Sequence, residues 1–220
     1  NCRAPATAMN PRTRHELWEG QAGPIEVSID EPTGSPVGLA VVAHPHPLFG
    51  GTKDNKVVQT LARAFLQLGY ITVRFNFRGV GQSAGAHDNG NAECEDLVQL
   101  TQEARTKLLS ADLQNQPVAL AGFSFGAFVT SHAAERLRKT EVSVGKMVLV
   151  GTATSRFSVA PVPENTLVIH GEVDDTVPLT DVLRWANGTN VPVIVMPGVE
   201  HFFHGKLPQL KELVVRYYPS

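Results

Sequence analysis

The pentapeptide Gly122-Phe123-Ser124-Phe125-Gly126 constrains this chain more than any other stretch. An apolar run, Pro117-Val118-Ala119-Leu120-Ala121, leads into it, and a helix-compatible segment from Ala127 to Leu137 leads out. Strand, Gly-x-Ser-x-Gly and helix in succession form the pattern of a nucleophile elbow, a sharp turn that lifts a serine hydroxyl above a sheet. The glycines are a steric requirement: the backbone must bend tightly, and the helix must start close to the strand, where a Cβ would clash. Ser124 is therefore the candidate nucleophile. A Gly-rich strand-to-helix turn can also serve packing alone, so the motif needs support from its surroundings.

The surroundings alternate between strand and helix. Gly23 to Glu31 has apolar Ile25, Val27 and Ile29 at period two and predicts a half-buried antiparallel edge strand. Val37 to Ala43 is continuously apolar, as a strand buried on both faces should be. Val57 to Leu68 carries its apolar residues at helical spacing, and Gly69 follows where a helix C-terminal glycine belongs. Tyr70–Phe77 predicts a strand and Glu93–Leu109 a helix with acidic residues in its first turn. Lys146–Val150, Asn165–Ile169 and Val191–Met196 predict further strands, and Lys206–Tyr217 a closing helix. This alternation predicts an α/β fold with a mostly parallel central sheet and helices on both faces. Its functional loops should gather at the C-terminal edge of the strands.

Bulk properties narrow the class. A length of 220 residues, 42% of them hydrophobic, suits one α/β domain. A formal net charge of -2 gives no electrostatic case for nucleic acid or an anionic membrane surface. No apolar run is long enough for a transmembrane helix, and no secretory pattern stands near Met9, so a cytoplasmic location is expected. Cys2 and Cys94 make no disulfide framework. Residues 1–8 read as an appended leader ahead of a natural start at Met9, leaving 9–220 as a single domain. A monomer or small homo-oligomer is expected.

A serine hydroxyl is a poor nucleophile near neutral pH. It needs a histidine to take its proton, and the histidine needs a carboxylate to fix its tautomer. Both types stand just after strands downstream of Ser124. Thr166–Ile169 runs into His170-Gly171-Glu172-Val173-Asp174-Asp175, and Pro192–Met196 runs into Pro197-Gly198-Val199-Glu200-His201-Phe202-Phe203-His204. From the residues alone, Asp174 competes with Asp175 and His201 with His204.

The order Ser124, Asp174, His201 is that of α/β-hydrolases. From about Gly23 to Tyr218 the chain resembles small bacterial members of that superfamily, in the neighbourhood of dienelactone-hydrolase-like serine esterases. The resemblance rests on the elbow, on His44-Pro45-His46-Pro47-Leu48-Phe49-Gly50-Gly51, on Arg78-Gly79-Val80-Gly81-Gln82-Ser83, on His170-Gly171-Glu172-Val173-Asp174, and on Glu200-His201-Phe202-Phe203. It places the acid three residues after Gly171, at Asp174, and the base at His201. Asp175 then becomes a turn residue and His204 a surface or structural one. His170 and His132 read as hydrogen-bonded core histidines, and His15 and His87 as exposed.

Acyl transfer passes through an oxyanion that backbone N–H groups stabilise. One donor should be Phe125, the residue after the nucleophile. The other should come from the loop after Val37–Ala43. Pro45 and Pro47 have no N–H, leaving His46, Leu48 and Phe49; Leu48 is the favoured donor. His44-Pro45-His46 also suggests a metal site, but 220 residues is short for the barrel that such a site inhabits. Arg78–Ser83 lacks the Gly-Lys-Ser/Thr of a phosphate-binding loop and reads as a strand-ending loop.

Only Gly151 to Glu164 separate two successive strands, too few residues to build a cap domain. The site should be open and lidless, lined in part by some of Phe49, Phe123, Phe125, Phe202 and Phe203, with at least two of these in the core. The expected protein is a serine hydrolase that cleaves a small acyl ester through an acyl-enzyme, without cofactor or metal. Thioesters, lactones and peptides are alternative substrates, and a non-catalytic binding protein of the same fold is the alternative class.

Overall fold

A computed structural model describes residues 9–218; the leader expected over 1–8 lies outside them. Eight strands form one sheet: β1 (Arg14–Gly20), β2 (Gly23–Asp30), β3 (Gly38–Ala43), β4 (Tyr70–Phe75), β5 (Val118–Phe123), β6 (Val144–Val150), β7 (Leu167–Gly171) and β8 (Val193–Met196). Their spatial order is β1-β2-β4-β3-β5-β6-β7-β8. The β1–β2 and β2–β4 pairs are antiparallel, and the rest are parallel. β2 is thus antiparallel as expected, but it is not the edge. β1 covers it, and only Trp18 of β1 is buried. A strand exposed on both faces leaves no alternation to read.

Five helices cover the sheet: α1 (Lys56–Gln67), α2 (Asn91–Leu108), α3 (Phe125–Leu137), α4 (Leu179–Thr189) and α5 (Leu207–Tyr217). The apolar strands serve two cores because successive side chains point to opposite faces. Leu39, Val41, Leu120 and Leu149 pack with α2, α3 and α4, whereas Ala40, Val42, Ala121 and Val148 pack with α1 and α5. The helix α4 was not anticipated. Its buried stripe is only Val182 and Ala186, and it ends in Asn187-Gly188-Thr189, which are weak helix formers.

The order β4-β3-β5 makes the join between β3 and β5 the switch point of the topology. Chain leaving β3 turns one way to β4 and returns past it to β5, opening a crevice above their C-terminal ends. The loop after β3 is fastened beneath this crevice. Buried Arg74 of β4 donates from Nη1 to Lys53 O at 2.9 Å and to Asp54 Oδ1 at 3.0 Å. Asn55 then caps α1, its Oδ1 accepting from Val57 N at 2.9 Å and Val58 N at 3.2 Å. Arg78 forks onto Asp96 of α2 at 2.7 and 2.8 Å, a structural use of the Arg78–Ser83 loop. Between β6 and β7 lie residues 151–166 without helix or strand, so no cap domain stands over the crevice.

Candidate active site

Ser124 sits between the last residue of β5 and the first of α3, at φ 58° and ψ -118°. The strained conformation is built in from both sides. Ser124 N donates to Val150 O of β6 at 2.9 Å, and Ala127 N to Ser124 O at 3.0 Å. A Cβ on Gly122 would overlap the Gly126 carbonyl, and one on Gly126 would overlap the Ala43 carbonyl at the end of β3. Both glycines are thus required by close backbone approach, as the motif implied.

His201 enters from the loop after β8. Its Nε2 lies 3.1 Å from Ser124 Oγ, and its Nδ1 lies 2.6 Å from Asp174 Oδ2. The ring is held between Phe123 and Phe202, each with its centroid 5.0 Å away. Glu200 shapes the turn beyond it, accepting from Phe202 N at 2.9 Å and His204 N at 2.7 Å. The histidine loop and the acid loop are laced together by Glu172 N to Met196 O at 3.0 Å, Val173 N to Val199 O at 3.1 Å and Gly198 N to Glu172 Oε2 at 2.7 Å.

Asp174 is buried, whereas Asp175 is exposed. The Asp174 Oδ1 accepts from Thr176 N at 2.9 Å and Val177 N at 2.7 Å, which leaves Oδ2 for His201. Burial works to raise its carboxyl pKa. The hydrogen bond and charge of His201, with the Val177 N–H, outweigh that and hold it below the usual carboxylate range. His170 is buried beside it, with Nε2 2.7 Å from Val177 O. Burial depresses the His170 pKa, opposed by the Val177 carbonyl and the Asp174 charge. His204 is exposed and pairs with Glu200. His132 is half-buried, 2.7 Å from Ser158 O.

The loop after β3 carries a correction. Leu48 N–H, expected as the second oxyanion donor, is engaged with its own loop at 3.2 Å to His46 Nδ1. Leu48 points to solvent and lines neither cavity at Ser124. Phe49 N–H closes a turn on His46 O at 3.1 Å. Of the three candidates, His46 N–H alone has no hydrogen-bond partner among the described residues, and His46 lines both cavities at Ser124. The sequence shows which residues possess an N–H but not which N–H a short 3₁₀ turn consumes.

His87, expected to be exposed, is turned inward. Its ring lies 4.8 Å from that of His46 and 5.5 Å from that of Phe125. Partial burial, then the charges of His87 and Arg156, depress the His46 pKa, against a smaller opposing effect from Glu93. Of the five phenylalanines considered as lining, Phe123, Phe125 and Phe203 are buried, and Phe49 and Phe202 stand exposed at the mouth. The cleft has a volume of about 270 Å³ and is bordered by His46, Phe49, Asn55, Ser124, Arg156 and Phe202, among others. A smaller cavity of about 50 Å³ continues under Phe125 and Phe157. Asn55 and Arg156 were missed. A lone Asn or Arg in a loop carries no periodic signal that separates it from an ordinary surface residue.

His44 makes a structural contact rather than a metal site. It is fully buried; its Nδ1 lies 2.7 Å from Pro45 O, and its Nε2 accepts from Phe77 N at 3.0 Å. Both ring nitrogens are thus occupied by the neutral tautomer. Burial, only partly opposed by the Pro45 carbonyl and Asp54, pushes its pKa down from 6.5 to about 4. Between those values the unfolded chain takes up a proton that the folded chain refuses. Stability attributable to His44 is therefore complete above pH 6.5 and falls as the pH drops toward 4. The loss should reach about 3 kcal/mol. Denaturant titrations between pH 7 and pH 4.5 should show a shallower decline for His44→Gln than for the wild type. Parallel curves would assign the decline to other groups.

A family model described as serine aminopeptidase, S33, matches residues 39–173. The chain belongs to that family, among the lidless α/β serine hydrolases. It is similar to an uncharacterised protein of Rickettsia prowazekii, 30% identical over 215 residues and covering 91% of this chain and 86% of that one. It is also similar to the crystal structure of an α/β serine hydrolase without a lid from Xanthomonas campestris. That match has a TM-score of 0.84 and 32% identity, covering 94% of both chains. An α/β serine hydrolase homologue from Coxiella burnetii matches at a TM-score of 0.79 and 38% identity, over 94% of this chain and 97% of that one. No described helix is long and apolar enough to cross a membrane.

Proposed function

We propose that the protein cleaves small carboxylic esters through a covalent acyl-enzyme, with Ser124 as nucleophile, His201 as general base and then acid, and Asp174 as the orienting carboxylate. The observation that carries this reading is the line of contacts from Ser124 Oγ to His201 Nε2 at 3.1 Å and from His201 Nδ1 to Asp174 Oδ2 at 2.6 Å. Ser124 Oγ bonds to the carbonyl carbon while its proton passes to His201 Nε2. The carboxylate of Asp174 stabilises the imidazolium that forms. Phe125 N–H, at the start of α3, and His46 N–H are the donors for the oxyanion, each worth on the order of 3 kcal/mol in the transition state. Collapse breaks the ester C–O bond, and His201 returns the proton to the departing alkoxide. Water then repeats the sequence on the acyl-enzyme and restores Ser124.

The family name includes aminopeptidases, and the cleft supports an ester better. An aminopeptidase must hold a free α-ammonium group, which calls for a carboxylate facing the substrate. Neither cavity at Ser124 is lined by Asp or Glu, and Arg156 lines both. A panel of para-nitrophenyl esters of rising acyl length tests the reading. At least one member should give a burst of nitrophenol approaching one equivalent per enzyme, then steady turnover. Because no cap covers the site, micelles should not activate it. Absence of turnover across the panel would contradict the proposal.

A further inference from the structure

Arg156 stands in an unusual electrostatic position. It belongs to the connection after β6 and is exposed at the mouth of the cleft. Among the residues lining the two cavities that touch Ser124, it is the one permanently charged side chain. No acidic side chain pairs with it among the described residues, a condition it shares with Arg12, Arg63, Arg105 and Arg138, none of which lines the cavities at Ser124. Its guanidinium lies over the ring of Phe49, with Cζ 5.7 Å from the centroid. This cation–π contact keeps the guanidinium beside the cleft, and a guanidinium there has the planar fork of donors that suits bidentate capture of an oxyanion.

We infer that Arg156 forms a specificity subsite for a carboxylate carried by the substrate, so that the preferred ester is anionic. This subsite rests on the acyl-transfer reading of Ser124. A substrate bonded at Ser124 Oγ occupies cavities that Arg156 also borders, so one small molecule spans both groups. The N-terminus of α1, capped by Asn55 on the same cleft, adds a favourable field for negative charge. A neutral ester leaves the cation without a partner, whereas an ester with a carboxylate supplies the missing one. The chain as a whole is slightly acidic, so the attraction is local to the cleft.

Two matched pairs of substrates locate the charge. On the acyl side, mono-para-nitrophenyl adipate is compared with para-nitrophenyl hexanoate; on the alcohol side, para-acetoxybenzoate is compared with para-tolyl acetate. In at least one pair, Arg156→Gln should lower the anionic-to-neutral ratio of kcat/KM by about tenfold, chiefly through KM, because the pair is charge-assisted but exposed. Arg156→Lys should recover part of the ratio, and high salt should erode it in the wild type. A ratio unaltered by Arg156→Gln in both pairs would overturn the subsite.

Calorimetric binding of para-acetoxybenzoate and monomethyl adipate to Ser124→Ala protein separates this subsite from the chemistry. Weaker binding by about tenfold when Arg156→Gln is added upholds the subsite even if no ester is turned over, and then the acyl-transfer reading is the one that fails. Equal binding with and without Arg156 would overturn the subsite.

Discussion

Asp174→Asn should lower kcat by about 10⁴-fold with little change in KM, whereas Asp175→Asn should stay within about twofold of the wild type. The asymmetry follows from the hydrogen bonds around the two side chains. Thr176 N and Val177 N both donate to Asp174 Oδ1, so an asparagine must keep its oxygen there and turn its NH₂ toward His201. His201 Nδ1 then has to accept, and the ring proton moves to Nε2, the nitrogen that faces Ser124 Oγ at 3.1 Å. A protonated Nε2 cannot take the serine proton. The fold should tolerate the change because the side chain is nearly isosteric and keeps its Oδ1 partners. Asp175 is exposed and has no hydrogen-bond partner among the described residues, so its amide variant alters nothing that His201 feels. Steady-state kinetics on one ester, with thermal melts as a folding control, distinguish the two positions. A crippled Asp175→Asn beside an active Asp174→Asn would reverse the assignment.

Ser124→Ala and Ser124→Gly should both lose about 10⁵- to 10⁶-fold in kcat, and the glycine variant should be the more stable of the two. A side chain at φ 58° and ψ -118° costs on the order of 1–3 kcal/mol, and glycine escapes that cost. Glycine's greater freedom in the unfolded chain takes back up to about 1 kcal/mol. The net expectation is that glycine exceeds alanine by about 1 kcal/mol in a denaturant titration. The elbow would then hold strain to present the hydroxyl to the cleft, since Ser124 N is pinned to Val150 O and cannot relax by itself. Alanine equal to or more stable than glycine would show that the conformation carries no such strain.

The parts of the fold that bury on both sides were legible. β3 and β5 read as apolar runs because alternate residues feed two separate cores, and the elbow announced itself through two glycines that have no room for a Cβ. Strand ends, which parallel strands bring to one edge, pointed to Ser124, to the Asp174-Asp175 pair and to His201 with His204; the choice of Asp174 and His201 came from the family resemblance. What could not be read lay where burial is slight or where a contact is local. β1 buries Trp18 alone and so left no periodic trace; α4 does place Leu179, Val182, Leu183 and Ala186 at helical spacing, but the pattern is short and runs out in Asn187-Gly188-Thr189. Leu48 and His46 are separated only by a hydrogen bond within one 3₁₀ turn. His87 falls in a polar, Gly-rich stretch, and its inward turn depends on packing against His46 and Phe125 from other elements. Arg156 differs from a surface arginine only by what surrounds it in space.

Labelling with a fluorophosphonate probe tests the central claim most directly, because the probe phosphonylates a serine only where a base and an oxyanion site are already assembled. Wild-type protein should gain one adduct, mapped by mass spectrometry to the peptide containing Ser124, and Ser124→Ala protein should gain none. An unlabelled wild type, or equal labelling of the alanine variant, would contradict the assignment of Ser124 as the nucleophile.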